Sequence, residues 1–251
     1  MRMRRLVAAT AAASGVLLAG CAGPADGDGT PVTVFAAASL QGAFEEIAAA
    51  FEAEHPDVDI RPIVTDGSNV LVTQIEEGAA PDIVATANEQ TFDRIADDVS
   101  EARIFATNTL VIVTPPDAET PVSDLADLAD PGLNVVLCAP EVPCGAASGT
   151  LLDSAGVDVT PASEEQNVTA VLTKVETQVA DAGLVYRTDV VGRDVGVLDA
   201  TGADEVISRY PIGVLDAAPE PDAAAEFVDY VTGDSGRAVL EARGFGAGST
   251  R

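Results

Sequence analysis

The stretch VTVFAAASLQGAFEEIAAAF, Val32 to Phe51, decides the fold. Its opening residues are apolar throughout and rich in β-branched and aromatic types, the pattern of a strand buried on both faces. Beyond Ser39 the apolar residues return at helical spacing, so the strand runs straight into an amphipathic helix. Ser39 stands where a helix N-cap belongs. That placement predicts a hydroxyl and free backbone N–H groups facing the space beyond the strand's carboxyl end, a place to hold an anion.

A second copy of the device follows in TDGSNVLVTQIEEG, Thr65 to Gly78. Gly67 and Ser68 follow the strand-like VDIRPIV and precede a run with Leu71 and Ile75 that closes on Gly78, as a short helix should. Serine is a preferred N-cap in any helix, so each serine alone has an ordinary structural explanation. The weight lies in two such starts pointing from one sheet edge.

The same alternation continues along the chain. DIVATA, a helix from Glu89 to Asp97 and TLVIVTP come next; after Pro115-Pro116 follow NVVLCAP, a helix around Ala147 to Ala155, a helix from Val168 to Val179, and GLVYRT. YPIGVL and two helical segments complete it. Strands alternating with helices predict βαβ units, an α/β class and parallel sheet. The apolar content suits two lobes of one architecture, with ligands expected between them at the carboxyl ends of strands.

The first residues, MRMRRLVAATAAASGVLLAGC, join a basic start to an apolar stretch too short for a permanent bilayer span, which is the layout of a secretory signal. The ending Leu18-Ala19-Gly20-Cys21 looks like a lipoprotein box, implying cleavage after residue 20 and lipid on the sulfur of Cys21; an ordinary signal peptide cut near Ala22 is the alternative. Residues 21–31 are mostly Gly, Asp, Ala and Pro and read as a flexible tether. The expected location is the outer face of the cell membrane.

The net charge is −28, and loss of residues 1–20 with their three arginines leaves −31. A surface this acidic argues against nucleic acid as a partner and should slow the approach of an anion at low salt. Cys138 and Cys144, six residues apart in an exported chain, are expected to pair as a disulfide, with two free thiols as the alternative. Metal chelation has little support, since His55 is the single histidine and no zinc-ligand spacing occurs. There is likewise no Gly-x-Ser-x-Gly elbow, no Walker loop and no Gly-x-Gly-x-x-Gly start, so an enzyme is not expected.

Taken in order, VFAAASL, GSNVLVTQIEEGAAPDIVATAN, NTLVIVTP, APEVPCGAA, NVTAVLTKVE, DAGLVYRTD and YPIGVL resemble the molybdate-binding proteins of ABC importers, over Val32 to Phe245. The resemblance implies a two-lobe type II periplasmic-binding fold, each lobe a mainly parallel sheet flanked by helices. Residues 32–111 and 212–251 would form lobe I and residues 112–211 lobe II, with hinge strands Leu110 to Thr114 and Ile212 to Leu215. It implies an oxyanion site built from the hydroxyls of Ser39, Ser68 and Tyr186 and the backbone N–H groups of Cys144 and Val168. The implied ligand is molybdate, with tungstate beside it, and no cofactor. The implied partners are an ABC permease and its ATPase, and the implied state is a monomer.

The donor set is chemically coherent. A fully deprotonated tetrahedral oxyanion offers acceptors only, so every partner must donate, and helix N-termini supply partial positive charge without arginine. Asp66 departs from the Ser-rich or Gly-rich segment usual beside Ser68, and it is expected to point out of the cleft. Tyr186 and Val168 each have a plain reading as core residues. Sulfate has the same charge and shape at smaller radius and is the alternative ligand. Ferric binding, which gathers tyrosines, is disfavoured because Tyr186, Tyr210 and Tyr230 are scattered along the chain.

Overall fold

A computed structural model describes residues 29–116 and 122–248. The signal segment, Cys21 and most of the expected tether therefore lie outside the described residues. The chain opens with β1 (Thr30–Val32), β2 (Val34–Ala37), α1 (Gln41–Glu54), β3 (Val58–Ile60), β4 (Val64–Asp66), α2 (Ser68–Glu76), β5 (Ile83–Ala85) and α3 (Glu89–Phe92). It continues through β6 (Val99–Asn108), β7 (Leu110–Thr114), β8 (Val135–Cys138), α4 (Pro143–Ala155), β9 (Ser163–Glu165), α5 (Val168–Glu176), β10 (Ala182–Tyr186) and β11 (Gly196–Asp199). β12 (Ser208–Leu215), α6 (Pro221–Thr232), α7 (Asp234–Ala242) and β13 (Gly246–Ala247) follow.

Two sheets carry the two lobes. The first runs β13-β6-β12-β5-β2-β4 and the second β11-β7-β10-β8-β9. β2, β5, β8 and β10 are buried at every residue, as parallel strands covered by helices on both faces must be. Each sheet is parallel only over three strands, β4-β2-β5 and β10-β8-β9, and antiparallel elsewhere. The mainly parallel sheets expected are thus mixed. The strands that carry the chain between lobes, and their neighbours, enter in the opposite direction.

The crossings differ in place from the expected hinge. Leu110 to Thr114 pairs only within the second sheet, and Ser208 to Leu215 only within the first, so the chain changes sheet at Thr109 and again between Asp199 and Ser208. Residues 110–111 and 208–211 accordingly stand on the other side of the expected boundaries. Three further differences have local causes. VDIRPIV is two strands in two sheets, because Pro62 has no N–H to give a ladder. The helix read from Ala147 begins at Pro143, a residue suited to the first helical position. Thr30 and Pro31, read as the end of a tether, join Val32 in pairing in parallel with β3.

Packing holds the first lobe through Phe44, Phe51 and Phe227, each wholly buried, with Phe51 and Phe227 meeting edge to face at 5.3 Å. Truncating any of them to alanine would cost about 3–5 kcal/mol. At the amino-terminal end of β5 sits Asp82, 1% exposed. Its Oδ2 accepts the Thr33 N–H at 2.7 Å and its Oδ1 the Glu220 N–H at 2.7 Å, tying the entry of β2 to the start of α6. Among the described residues no helix is long and apolar enough to cross a membrane.

Candidate functional site

The carboxyl ends of β2, β5 and β10 converge with the first turns of α2, α4 and α5 on a cavity of about 20 Å³ between the lobes. That volume suits a compact ion and falls far below what an organic solute needs. Ser39, Ser68, Cys144, Val168 and Tyr186 all line it. Among the described residues no lysine, arginine or histidine does.

The helix starts here are unusual in their capping. Ser39 is not an N-cap: it lies within a 3₁₀ turn, Ala38–Leu40, and α1 starts after Leu40 with no side-chain cap. Ser68 is not one either, being the first residue of α2 behind Gly67, which has no side chain to cap with. α4 starts behind Val142, again with no side-chain cap. The first N–H groups of a helix have no acceptor within it, so the starts of α2 and α4, whose first residues line the cavity, bring amide donors to its wall. Of the starts of α1, α2, α4 and α5, that of α5 has a polar cap, where Asn167 Oδ1 accepts the Ala170 N–H at 2.9 Å, two residues on from Val168.

Each hydroxyl has a partner that directs it. Ser68, 1% exposed, accepts the Ala87 N–H at 3.0 Å, which leaves its own proton to donate elsewhere. Ser39 Oγ lies 3.0 Å from Tyr210 Oη. Tyr186 Oη accepts from Ser208 Oγ at 3.4 Å across the lobe boundary. Burial raises Tyr186 well above the ordinary tyrosine range, and burial with Tyr186 and Asp189 alongside raises Tyr210 too. Both phenols therefore stay protonated and able to donate.

Cys138 and Cys144 are joined in a disulfide with an S–S distance of 2.04 Å and Cα atoms 5.7 Å apart. The bridge ties the end of β8 to the first turn of α4. Gly145 beside it leaves no room for a side chain, since a Cβ there would come within 1.8 Å of the Ala139 carbonyl oxygen. The Cys144 N–H is thereby fixed in place by covalent and steric constraint together.

Asp66 does not point out of the cleft. It lines the cavity, and its Oδ1 takes the Gly67 N–H at 2.7 Å and Asn167 Nδ2 at 3.1 Å from the opposite lobe. Two donors on one oxygen turn this carboxylate into a clasp. Asn69 Nδ2 likewise donates to the Glu141 carbonyl oxygen across the gap. Gly67 faces Gln166 so closely that a Cβ would lie 2.2 Å from its carbonyl oxygen.

Sequence reasoning passed over Asn167, Tyr210 and Asn108. Asn167 carried a readable signal, an Asn directly ahead of an apolar helical run. Tyr210 and Asn108 carried none, since their partners lie across the fold. Tyr186 and Tyr210, distant in sequence, meet edge to face at 6.0 Å, while Tyr230 packs on Phe51 away from the cleft. Among the described residues no cluster of three His, Cys, Asp or Glu side chains is placed to hold a metal ion.

Comparison with known proteins places this geometry. The model of the bacterial extracellular solute-binding protein family matches residues 32–246. The chain is 42% identical over 229 residues to the molybdate-binding protein ModA of Mycobacterium tuberculosis, covering 89% of this chain and 87% of that one. To the molybdate-binding protein ModA of Escherichia coli it is 29% identical over 243 residues, 89% of this chain and 92% of that one. The solved periplasmic molybdate-binding protein of Azotobacter vinelandii shares the fold with a TM-score of 0.73 at 18% identity, over 85% of this chain and 98% of that chain.

Proposed function

We propose that this chain, which belongs to the family of bacterial extracellular solute-binding proteins, captures molybdate between its lobes and delivers it to an ABC importer. The observation that carries the reading is a small interlobe cavity lined by directed donors and by no cationic side chain. Ser39, Ser68 and Tyr186 give hydroxyl protons, and Cys144 and Val168 give backbone N–H groups. A dianion that only accepts satisfies such a site completely, and the converging helix starts offset its charge. Tungstate, with the same charge and shape, binds with it. Phosphate carries a proton at neutral pH and would bring a donor to donors, so the site rejects it.

Sulfate is the second reading, because donor chemistry alone does not separate it from molybdate; the fit of the closed lobes does. The chain binds and releases its ligand unchanged, which makes it a carrier and not an enzyme. It works outside the cytoplasm as a monomer, held to the membrane by lipid on Cys21, and its partners are a permease and a cytoplasmic ATPase.

Isothermal titration of the chain from Ala22 onward with molybdate, tungstate, sulfate and phosphate tests this. Tight one-to-one binding of the first two with the others silent is the expected result. Ser68→Ala and Tyr186→Phe should each weaken molybdate by about 1–3 kcal/mol, the worth of a hydrogen bond to a charged acceptor. Sulfate binding with molybdate silent would overturn the ligand and keep the fold.

A further inference from the structure

Resting on that reading of the cleft, we propose that Tyr210 and Asn108 are positioning residues that force the Ser39 hydroxyl to donate toward the bound anion. Neither residue lines the cavity; both stand behind Ser39.

The first link of the chain is set by a group that cannot reverse. The Thr109 backbone N–H can only donate, and Asn108 Oδ1 accepts it at 3.0 Å. That fixes the amide, so its NH₂ end reaches Thr188 Oγ1 at 2.8 Å and Tyr210 Oη at 3.3 Å. Tyr210 Oη receives from Asn108 and has a single proton, with Ser39 Oγ at 3.0 Å and Tyr186 Oη both within its reach. Because Tyr186 Oη already receives from Ser208, the relay assigns that proton to Ser39. Ser39 Oγ, receiving in turn, has one proton left, and the cavity is where it goes. The opposite order would turn a serine lone pair toward an anion.

Packing keeps the relay rigid. Tyr210 is wholly buried, with Phe105, Tyr186 and Phe245 set edge to face around its ring at 6.4, 6.0 and 5.6 Å. Donors in such a chain also polarise one another, which strengthens the last bond. The relay starts at a lobe crossing: Asn108 ends β6, the Thr109 carbonyl accepts the Arg187 N–H at 2.9 Å, and Thr188 belongs to the second lobe. A change in hinge geometry therefore reaches Ser39 through side chains that never touch the ligand.

A double-mutant cycle tests this by molybdate titration, with thermal melting to establish that each variant is folded. Tyr210→Phe keeps the ring and removes the hydroxyl; about a tenfold loss of affinity is expected, with a similar loss for Ser39→Ala. The double variant should bind no more weakly than Ser39→Ala alone, because the relay runs through that serine; a further loss would mean that the phenol acts through Tyr186 instead. Asn108→Ala, which leaves both hydroxyls, supplies the same cycle should Tyr210→Phe melt early. Wild-type affinity in Tyr210→Phe, or losses that multiply in the double variant, would overturn the relay while the ligand stands. Failure of the wild type to bind molybdate would overturn the reading of the cleft, and the relay with it.

Discussion

At the amino-terminal end of β5, Asp82 is a buried acceptor with a backbone N–H on each oxygen; at the carboxyl-terminal end of the same strand, Ala87 N–H holds Ser68 so that its proton is left to give away. One end of the sheet satisfies its charge within the chain. The other gathers donors from two lobes and leaves helix starts without side-chain caps. The difference separates stability from binding along a single strand, because a saturated carboxylate contributes to folding while directed donors contribute only when an acceptor meets them.

Breaking the saturated end gives the largest expected effect. Asp82→Ala removes two hydrogen bonds to a charged acceptor, worth about 1.5–3 kcal/mol each, so urea unfolding should show a loss of about 4 kcal/mol. The molybdate affinity of the folded fraction should stay within about twofold. Weakened binding at full stability would contradict the separation of the two ends.

Breaking the donor end without touching a donor comes next. Gly67 has φ −57° and ψ 135°, a conformation open to any residue, so Gly67→Ala puts no strain on its own lobe. The added Cβ would meet the Gln166 carbonyl oxygen at 2.2 Å, and the lobes must part to admit it. Affinity for molybdate should fall about a hundredfold, the cost of overpacking a tight contact, with the melting temperature of the ligand-free protein unchanged. Small-angle scattering with ligand present should show a more open molecule; a wild-type profile and affinity would mean the lobes do not close on this contact.

The same contrast explains what could be read in advance. Strand-to-helix switches at Ser39 and Ser68 are local patterns, and the residues they mark do line the cavity. Their capping role was misread, because one residue of register decides whether a serine caps a helix or begins it, and tertiary contacts with Tyr210 and Ala87 set that register. Asp66 was expected to avoid the cleft on its charge alone; Asn167, 101 residues away, is what makes a carboxylate tolerable there. Tyr210 and Ser39 are 171 residues apart, and Asn108 and Tyr210 are 102 apart. No periodicity reports a contact of that range. The bend of the chain at Pro62 was legible as chemistry and passed over, while β6, with Glu101 and Arg103 on an exposed stretch, has no apolar alternation to show.

Asp189 is a second carboxylate, less completely paired than Asp82. Among the described residues Asp189 Oδ2 accepts the Tyr186 N–H, at 2.9 Å, whereas Asp82 has a backbone donor on each oxygen. Burial outweighs that bond and the nearby Arg193, and pushes the Asp189 carboxyl up to about 7. A group raised on folding binds its proton in the native state before the unfolded chain does, so its contribution is complete below the ordinary aspartate range and is lost as pH climbs to about 7. Stability should therefore rise from pH 7 to pH 6, by at most about 1 kcal/mol and less where solvent reaches the half-buried side chain. Asp124 and Asp127, held below the ordinary range by backbone N–H donors, and Glu176, held there by Arg193, lose their contributions only below about pH 4.5, outside this window. Asp189→Asn keeps an acceptor for Tyr186 and removes the titration, so its stability curve should be flatter between pH 8 and pH 5 and should lie above the wild type at pH 8. Urea unfolding of both proteins across that range decides the matter, since relief of the shared acidic surface moves both curves alike; parallel curves would mean that Asp189 is as well satisfied as Asp82.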